Sequence, residues 1–348
     1  QMCIRDSSYW SGRQRFEYRY RILVCVTILQ ALMNPIASLV LIRMNGGTAM
    51  MRILGIVGVQ VCICVPIIVF QFCKGKEFFS KEYWGYALRI GIPIVPHYLS
   101  GIILNQGDRI MIDKMVGKTE VALYGLAYSI GMLVQLFISG MNSALTPWMY
   151  SKIKKGDIRS MRKVLQLLSV VVVGIAVALM LISPELVLIF GSPKYREAVY
   201  VIPPVAASVF FIFIYNILSM PQFYYEKTQF LMAASMAAAG ANVVLNFIFI
   251  RLFGYIAAGY TTLACYMLYS VGHYIVSKRI LVNEGIQENL MNPGFLLACS
   301  VFLIGASIIC NLIFPYRILR YAILLASAGL VFWKKELLLK TMADIRKK

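Results

Sequence analysis

The stretch VLQLLSVVVVGIAVALMLISPELVLIF, from Val164 to Phe190, decides the fold class of this chain. It holds a single charged side chain, Glu185, and it exceeds the roughly 20 residues that a helix needs to cross the apolar core of a bilayer. Comparable apolar runs recur from Arg21 to Trp333. The sequence therefore predicts an all-α, polytopic transmembrane helix bundle.

The composition supports a membrane protein. Hydrophobic residues make up 60% of the 348 residues and charged residues only 14%, which leaves too little polar surface to cover a water-soluble globule of this size. The net charge of +19 would otherwise suggest a nucleic-acid partner. Because the lysines and arginines lie in short loops between apolar runs, rather than on one domain face, we expect no nucleic acid partner.

The apolar runs predict about ten spans. They lie near residues 22–42, 53–73, 90–116, 121–147, 164–190, 198–218, 229–250, 255–277, 295–314 and 318–333.

Basic residues concentrate in alternate loops, and short cytoplasmic loops favour Lys and Arg. The richer set comprises Arg13, Arg15, Arg19, Arg21, Lys74, Lys76, Lys81, Lys152, Lys154, Lys155, Arg159, Arg162, Lys163, Lys334, Lys335, Lys340, Arg346, Lys347 and Lys348. The sparser set comprises Arg43, Arg52, Lys194, Arg196, Arg251, Arg317 and Arg320. Both ends are therefore expected in the cytoplasm, which requires an even number of spans.

The third span, RIGIPIVPHYLSGIILNQGDRIMIDKMVGK from Arg89 to Lys118, contains charged residues where charge is costly. At about 100° per residue, one face of its helix collects His97, Gly101, Asn105, Asp108 and Arg109. Arg109 and Asp113 are four residues apart, so we expect them to pair. The stripe either faces a cavity, which we favour, or holds the helix to its neighbours and reaches the outer interface.

Two prolines, Pro93 and Pro96, open this span, and each lacks a backbone donor and restricts the residue before it. We expect irregular backbone from Ile92 to His97 that serves as a hinge. The alternative is a simple helix start with Pro in its first turn.

Polar residues in the later spans favour contacts between helices. Asn242 and Asn246 share a helix face, and the other polar residues in these spans are Gln135, Asn142, Asn216, Gln222 and His273. For these side chains interhelical hydrogen bonding is preferred over a role in lining a cavity. Glu185 is expected to be an exposed carboxylate near an outer span end.

No motif indicates an enzyme or a metal protein. The chain has no glycine-rich phosphate loop and no H-E-x-x-H. The cysteines are interpreted as small hydrophobes, because they lie mostly within apolar runs. Cys62 and Cys64 have no His, Asp or Glu nearby, so a metal site there has little support. We predict no catalytic residues, no cofactor and no metal site.

The order of several stretches resembles a known family. GIPIVPHYLSGIILNQGDRIMIDKMVGKTEVALYGLAYSIG (91–131) and NSALTPWMYSK (142–152) resemble the seventh and eighth helices of Wzx-type bacterial polysaccharide flippases. These belong to the multidrug/oligosaccharidyl-lipid/polysaccharide exporter superfamily. SPELVLIFGSPKYREAVYVIPPVAASVFF (183–211) and NVVLNFIFIRLFGYIAAGYTTLACYM (242–267) are similar to later helices, with matching pieces at Gly191, Tyr195, Ala198, Pro203, Leu245, Asn246, Gly254 and Gly259.

The resemblance implies a two-lobed exporter that flips undecaprenyl-diphosphate-linked oligosaccharide repeat units across a bacterial cytoplasmic membrane, for lipopolysaccharide or capsule export. Its partners would be this lipid-linked oligosaccharide, membrane lipids and the polysaccharide polymerase machinery. Arg109 is the candidate for the cargo diphosphate, because Arg binds such groups through paired hydrogen bonds. Asp108 and Asp113 would tune or hold Arg109, and Arg89 would meet the headgroup earlier. Asn105 and His97 complete the predicted substrate-binding set.

The resemblance also implies a division of the chain. Residues 1–21 would be a cytoplasmic segment with a non-native start, 22–83 the last two helices of an N-terminal lobe, 84–277 a six-helix C-terminal lobe, 278–333 two extra helices and 334–348 a basic cytoplasmic tail. Family members usually have twelve to fourteen helices. We therefore expect this chain to be a fragment of a parent protein with about fourteen spans. We do not expect the fragment to transport alone.

Two other functions stay open at this point. One is a cation-coupled exporter of small molecules from the same superfamily. The other is a membrane polysaccharide polymerase or ligase, which would need a large outer loop that this sequence does not contain. Peptidoglycan precursor is a disfavoured cargo, because the stretch from Tyr124 to Met132 lacks the arginine that lipid II flippases carry there.

Overall fold

The computed structural model describes the backbone of residues 2–44, 49–75 and 80–333, and the side chains in these ranges except at 2–8, 49, 93 and 327–333. The predicted basic tail, 334–348, lies outside the described residues. The described chain is helical, and it divides into two compact units, Gln1–Leu88 and Arg89–Lys348.

The first unit contains α1 (Met2–Phe16), α2 (Tyr20–Met44) and α3 (Ala49–Gly75), together with the start of α4 (Lys81–Met115). Helices α2 and α3 pack closely at Gly55, where a Cβ would lie only 2.6 Å from the Ser38 Cα. Ser38 Oγ donates to the carbonyls of Asn34 at 2.7 Å and Arg52 at 3.3 Å. A glycine opposite a serine allows this close approach of two apolar helices.

The second unit contains the rest of α4 and the remaining helices. They are α5 (Lys118–Gly131), α6 (Leu133–Lys154), α7 (Ile158–Phe190), a 3₁₀ segment (Pro193–Val201), α8 (Ile202–Tyr224), α9 (Thr228–Phe253), α10 (Ile256–Asn283), α11 (Pro293–Ile313) and α12 (Arg317–Trp333).

Helix α8 is the centre of this unit. Its residues from Ile202 to Ile214 are all buried, and it contacts α5, α6, α7, α9, α10 and α11. A helix that is apolar on every side is stable only when neighbours surround it. Two glycines allow the close contacts: a Cβ at Gly131 would lie 2.6 Å from the Val205 side chain, and a Cβ at Gly259 would lie 3.1 Å from Pro204.

Seven helical segments of the described residues are long and apolar enough to cross a membrane. The pair α5 and α6, bent by 41°, makes an eighth if it is one span. The predicted spans 255–277 and 318–333 coincide with α10 and α12, which do not pass this test. Helix α10 is less apolar because it contains polar residues such as Thr262, His273 and Ser277. These side chains are buried. Ten spans therefore stays a prediction.

The prediction of irregular backbone from Ile92 to His97 was wrong, and so was the alternative of a helix start there. Helix α4 begins at Lys81 and its backbone is helical through both prolines. Ser100 Oγ donates to the Pro96 carbonyl at 2.8 Å. Prolines are tolerated inside membrane helices where side chains and neighbouring helices satisfy nearby backbone groups. The hinge role of Pro93 and Pro96 stays a prediction, and the Pro93 side chain lies outside the described residues.

Candidate substrate cavity

A cavity of ≈ 720 Å³ lies beside α4 in the second unit, and we call it the α4 cavity. Helix α4 lines it along one face, and α5, α8 and α10 supply the other walls. Its polar and aromatic lining residues are His97, Tyr98, Asn105, Gln106, Arg109, Tyr128, Ser129, Tyr215, Asn216, Ser219, Phe223, Tyr266 and Tyr269. Among the described residues that line it there is no Asp or Glu.

Arg109 supplies the full positive charge of this lining. Its Nη1 donates to Gln106 Oε1 at 3.0 Å, and its guanidinium carbon lies 5.2 Å from the centroid of the Tyr128 ring. Its Nε is buried without a hydrogen-bond partner. A half-buried guanidinium with an unpaired donor is suited to bind an anionic group that enters the cavity.

The predicted pair of Arg109 with Asp113 was wrong. Asp113 is exposed, and it does not line the cavity. Side chains on a helix tilt towards its N-terminus, so Arg109 reaches back to Gln106 rather than forward to Asp113.

Asn105 and His97 reach the same cavity as Arg109. Asn105 Oδ1 accepts hydrogen bonds from the Tyr128 hydroxyl at 2.7 Å and the Tyr266 hydroxyl at 3.3 Å. His97 Nδ1 lies 3.0 Å from the Tyr269 hydroxyl, at hydrogen-bond distance. The structure thus brings together three of the predicted substrate-binding residues.

Asp108 lies on another side of α4, away from this lining. It is fully buried, and it accepts hydrogen bonds from the Tyr124 hydroxyl at 2.5 Å, Asn246 Nδ2 at 2.6 Å and the Thr262 hydroxyl at 2.7 Å. The Thr261 hydroxyl in turn donates to Asn246 Oδ1. Asp108 therefore ties α4 to α5, α9 and α10 and does not hold Arg109, contrary to the prediction.

Arg89, the remaining predicted residue, is exposed and lies apart from the others. It lines a separate cavity of ≈ 340 Å³ with residues 225–230, which form the turn after α8 and the start of α9. This turn contains the basic residue Lys227.

The predicted interhelical hydrogen bonds are confirmed for Asn246, Gln222 and His273. The prediction was wrong for Asn216, whose Nδ2 donates to the Ile212 carbonyl of its own helix at 2.8 Å and which lines the α4 cavity. Asn246 bonds to Asp108 as described, and Gln222 Nε2 lies 2.8 Å from His273 Nδ1. Asn242 Oδ1 accepts from Asn246 on the same helix at 3.1 Å.

Glu185 was wrongly predicted to be an exposed interfacial carboxylate. It accepts two hydrogen bonds of 2.8 Å from Arg320, whose side chain is nearly buried. The two residues come from α7 and α12, which are far apart in sequence, so local reasoning could not pair them.

Sequence reasoning also missed the tyrosine wall of the cavity. A stripe at helical spacing in α10, formed by Thr262, Tyr266, Tyr269 and His273, was the available signal. Tyr215 of α8 completes the wall: its ring centroid lies 4.5 Å from that of Tyr269.

The described residues hold no group of three or more His, Cys, Asp or Glu that could bind a metal ion. The described cysteines are free.

Comparisons with known proteins show which families and folds this chain is similar to. A polysaccharide biosynthesis protein family model matches residues 13–154, and the MatE family model matches residues 93–248. A crystal structure of a mutant MATE protein matches with a TM-score of 0.61 at 16% identity, covering 79% of this chain and 66% of that one. The structural match shows a MATE-like fold, an all-helical membrane bundle with seven or eight candidate spans among the described residues.

Two relatives come from Haemophilus influenzae. A protein of the Lsg locus is 28% identical over 172 residues, covering 46% of this chain and 41% of that protein. An uncharacterised membrane protein is 29% identical over 191 residues, covering 51% of this chain and 46% of that protein. This chain thus spans less than half the length of either relative. The chain is similar to these polysaccharide biosynthesis and MatE families over the matched residues, and its fold is MATE-like.

Proposed function

We propose that this transporter flips undecaprenyl-diphosphate-linked oligosaccharide repeat units across a bacterial cytoplasmic membrane. The observation that carries the proposal is Arg109 in the α4 cavity, with a buried and unpaired Nε and no carboxylate among the described lining residues to compete for it. An arginine binds a phosphate group through two parallel hydrogen bonds. A diphosphate-linked lipid supplies such a group.

Asn105 and His97 extend the proposed contact surface along α4. Asp108 is a positioning residue in this account, because its bonds to α5, α9 and α10 fix the rotation of α4 that turns Arg109 towards the cavity. Arg89, which lines a separate cavity together with Lys227 and Glu226, is proposed to meet the headgroup before it reaches Arg109.

We also propose the orientation of the chain, the number of spans, the division into lobes and the position of a hinge. Both chain ends would face the cytoplasm, since the alternate loops differ in their Lys and Arg content. The chain would have ten spans, with residues 22–83 belonging to the N-terminal lobe and 84–277 forming the C-terminal lobe. Pro93 and Pro96 would be the hinge of α4.

An Arg109→Ala variant tests the proposal. The protein is expressed from its whole gene in a bacterium whose own polysaccharide flippase is deleted, and surface polysaccharide is measured. We expect surface polysaccharide to fall at least about tenfold at unchanged protein level, because the diphosphate loses its paired donors. Arg109→Lys should recover only part, since a lysine cannot bind bidentately.

The matched control is Arg251→Ala, which removes an arginine that packs on Phe247 of α9 outside the cavity. It should leave surface polysaccharide unchanged. Normal export with Arg109→Ala would contradict the proposal.

The second candidate is a cation-coupled exporter of small molecules. The MatE match at residues 93–248 and the MATE-like fold favour it. Transport that follows a sodium or proton gradient and ignores glycolipid would support it against the flippase.

A further inference from the structure

The charged and the uncharged lining residues of the α4 cavity lie at different positions along the helix. His97 and Arg109 are twelve residues apart on α4, which separates them by about 18 Å along the axis. Asn105 lies between them, with Tyr128 and Tyr266 bonded to it. Arg109 supplies the permanent charge at one end, and the described lining residues between it and His97 include no Asp, Glu, Lys or further Arg.

Aromatic rings dominate the uncharged part. The Tyr215 ring stacks on Tyr266 with an interplanar angle of 7° and packs against Tyr269 at 4.5 Å. Both of these partners are buried, whereas Tyr215 is half-buried. Tyr215 is therefore held rigidly from behind and presents its remaining surface to the cavity.

Tyr98 supplies a second ring, on the α4 side. It is exposed and lines the same cavity, and its ring lies 5.5 Å from that of His97. Rigid aromatic faces carry partial negative charge, and the C–H bonds on one face of a pyranose carry partial positive charge. Asn105 and Asn216 line the same cavity, and each keeps one amide N–H for a sugar hydroxyl after donating to Gly101 and Ile212 of its own helix.

We propose that Tyr215 and Tyr98, with Asn105 and Asn216, form a saccharide subsite that binds the first sugar rings next to the diphosphate held by Arg109. This inference rests on the proposed function and names which part of the cargo each part of the cavity takes. The aromatic part adds affinity for any pyranose, while the Arg109 part binds the diphosphate alone.

Two probes separate these parts. Binding to the purified chain in detergent is measured for farnesyl diphosphate and for farnesyl diphosphate carrying one N-acetylglucosamine or one galactose. For each glycosylated probe, we call the dissociation constant of farnesyl diphosphate divided by that of the probe the sugar ratio. This ratio reports the contribution of the sugar. In the wild type we expect both glycosylated probes to bind about tenfold more tightly than farnesyl diphosphate.

Tyr215→Leu and Tyr98→Leu keep an apolar side chain and remove the ring. Each should lower the sugar ratio towards one and leave the affinity for farnesyl diphosphate unchanged, whereas Tyr215→Phe should keep most of the ratio. Arg109→Gln should weaken all probes by the same factor. The control is Tyr260→Ala on α10, which lies outside this cavity and should change neither quantity.

The outcomes distinguish the two proposals. A wild-type sugar ratio of one, or an unchanged ratio in both leucine variants, overturns the saccharide subsite while diphosphate binding stands. An unchanged affinity in Arg109→Gln overturns the diphosphate site. Failure of the wild type to bind any probe overturns both.

Discussion

Asp108 and Arg109 are neighbours in sequence, yet they have opposite surroundings. Asp108 is fully buried with three hydrogen-bond donors from α5, α9 and α10, whereas Arg109 lines a cavity with an unpaired Nε. A rotation of about 100° per residue separates their directions. The two charges of this helix therefore differ in their contacts: the carboxylate holds helices together, and the guanidinium has an unpaired donor at the cavity wall.

The largest effect that this comparison predicts is on folding, from Asp108→Ala. The change leaves the Tyr124, Asn246 and Thr262 donors buried and unpaired, which should lower the free energy of unfolding by about 3 kcal/mol. Thermal unfolding of the purified protein in detergent measures it. Arg109→Ala is the matched neighbour, and it should change stability by less than about 0.5 kcal/mol. Equal losses in the two variants would break the comparison.

A second carboxylate tests whether burial sets the size of this effect. Glu185 keeps 25% of its side-chain exposure, and its partner Arg320 keeps 4%. Glu185→Ala strands the buried guanidinium and should cost about 2 kcal/mol, which is below the usual range for a fully buried pair. The control is Glu197→Ala, because Glu197 is exposed and lines a cavity together with Glu185 and Arg320, and it should have little effect. A cost as small as that of the control would mean that the Arg320 pair does not stabilise the fold.

An aspartate outside the spans gives the lower end of the scale. Asp157 caps α7 by accepting from Ser160 N at 3.3 Å, and it bonds Lys152 Nζ at 2.7 Å. Asp157→Ala should cost about 1 kcal/mol, and Asp157→Asn less, because Asn also caps helices well. An asparagine variant as unstable as the alanine variant would show that the ion pair, not the cap, provides the stability.

The same residue predicts a pH dependence. The hydrogen bond from Lys152 lowers the pKa of Asp157 to about 2, below its ordinary value of 3.8. The stabilisation is therefore fully present above the pKa of the unfolded chain and is lost as pH falls from about 4 to about 2. Thermal unfolding over this range should show a smaller acid loss in Asp157→Asn than in the wild type. Identical acid profiles would contradict this prediction.

The sequence predicted the membrane class, the helices and the polar face of α4, because each depends on local composition and helical period. The run from Val164 to Phe190 lies within α7, and His97, Asn105 and Arg109 meet at one cavity.

The contacts between distant helices were not predictable in the same way. Asp108 was assigned to the cavity because it lies near the edge of the polar face, and only the packing of α9 and α10 shows that Asn246 and Thr262 cover it. Arg320 and Glu185 are paired across 135 residues of sequence. Spacing along a chain gives a residue's direction on its own helix but not the helix that it meets.

The central claim is that Arg109, unlike its neighbour Asp108, is kept for an anionic ligand. Its most direct test is the dissociation constant of farnesyl diphosphate for wild type and Arg109→Gln, measured beside the thermal unfolding of both. The account predicts binding at least about tenfold weaker in the variant, with an unchanged unfolding temperature. Equal affinity in the two proteins, or a loss of stability as large as that of Asp108→Ala, would contradict it.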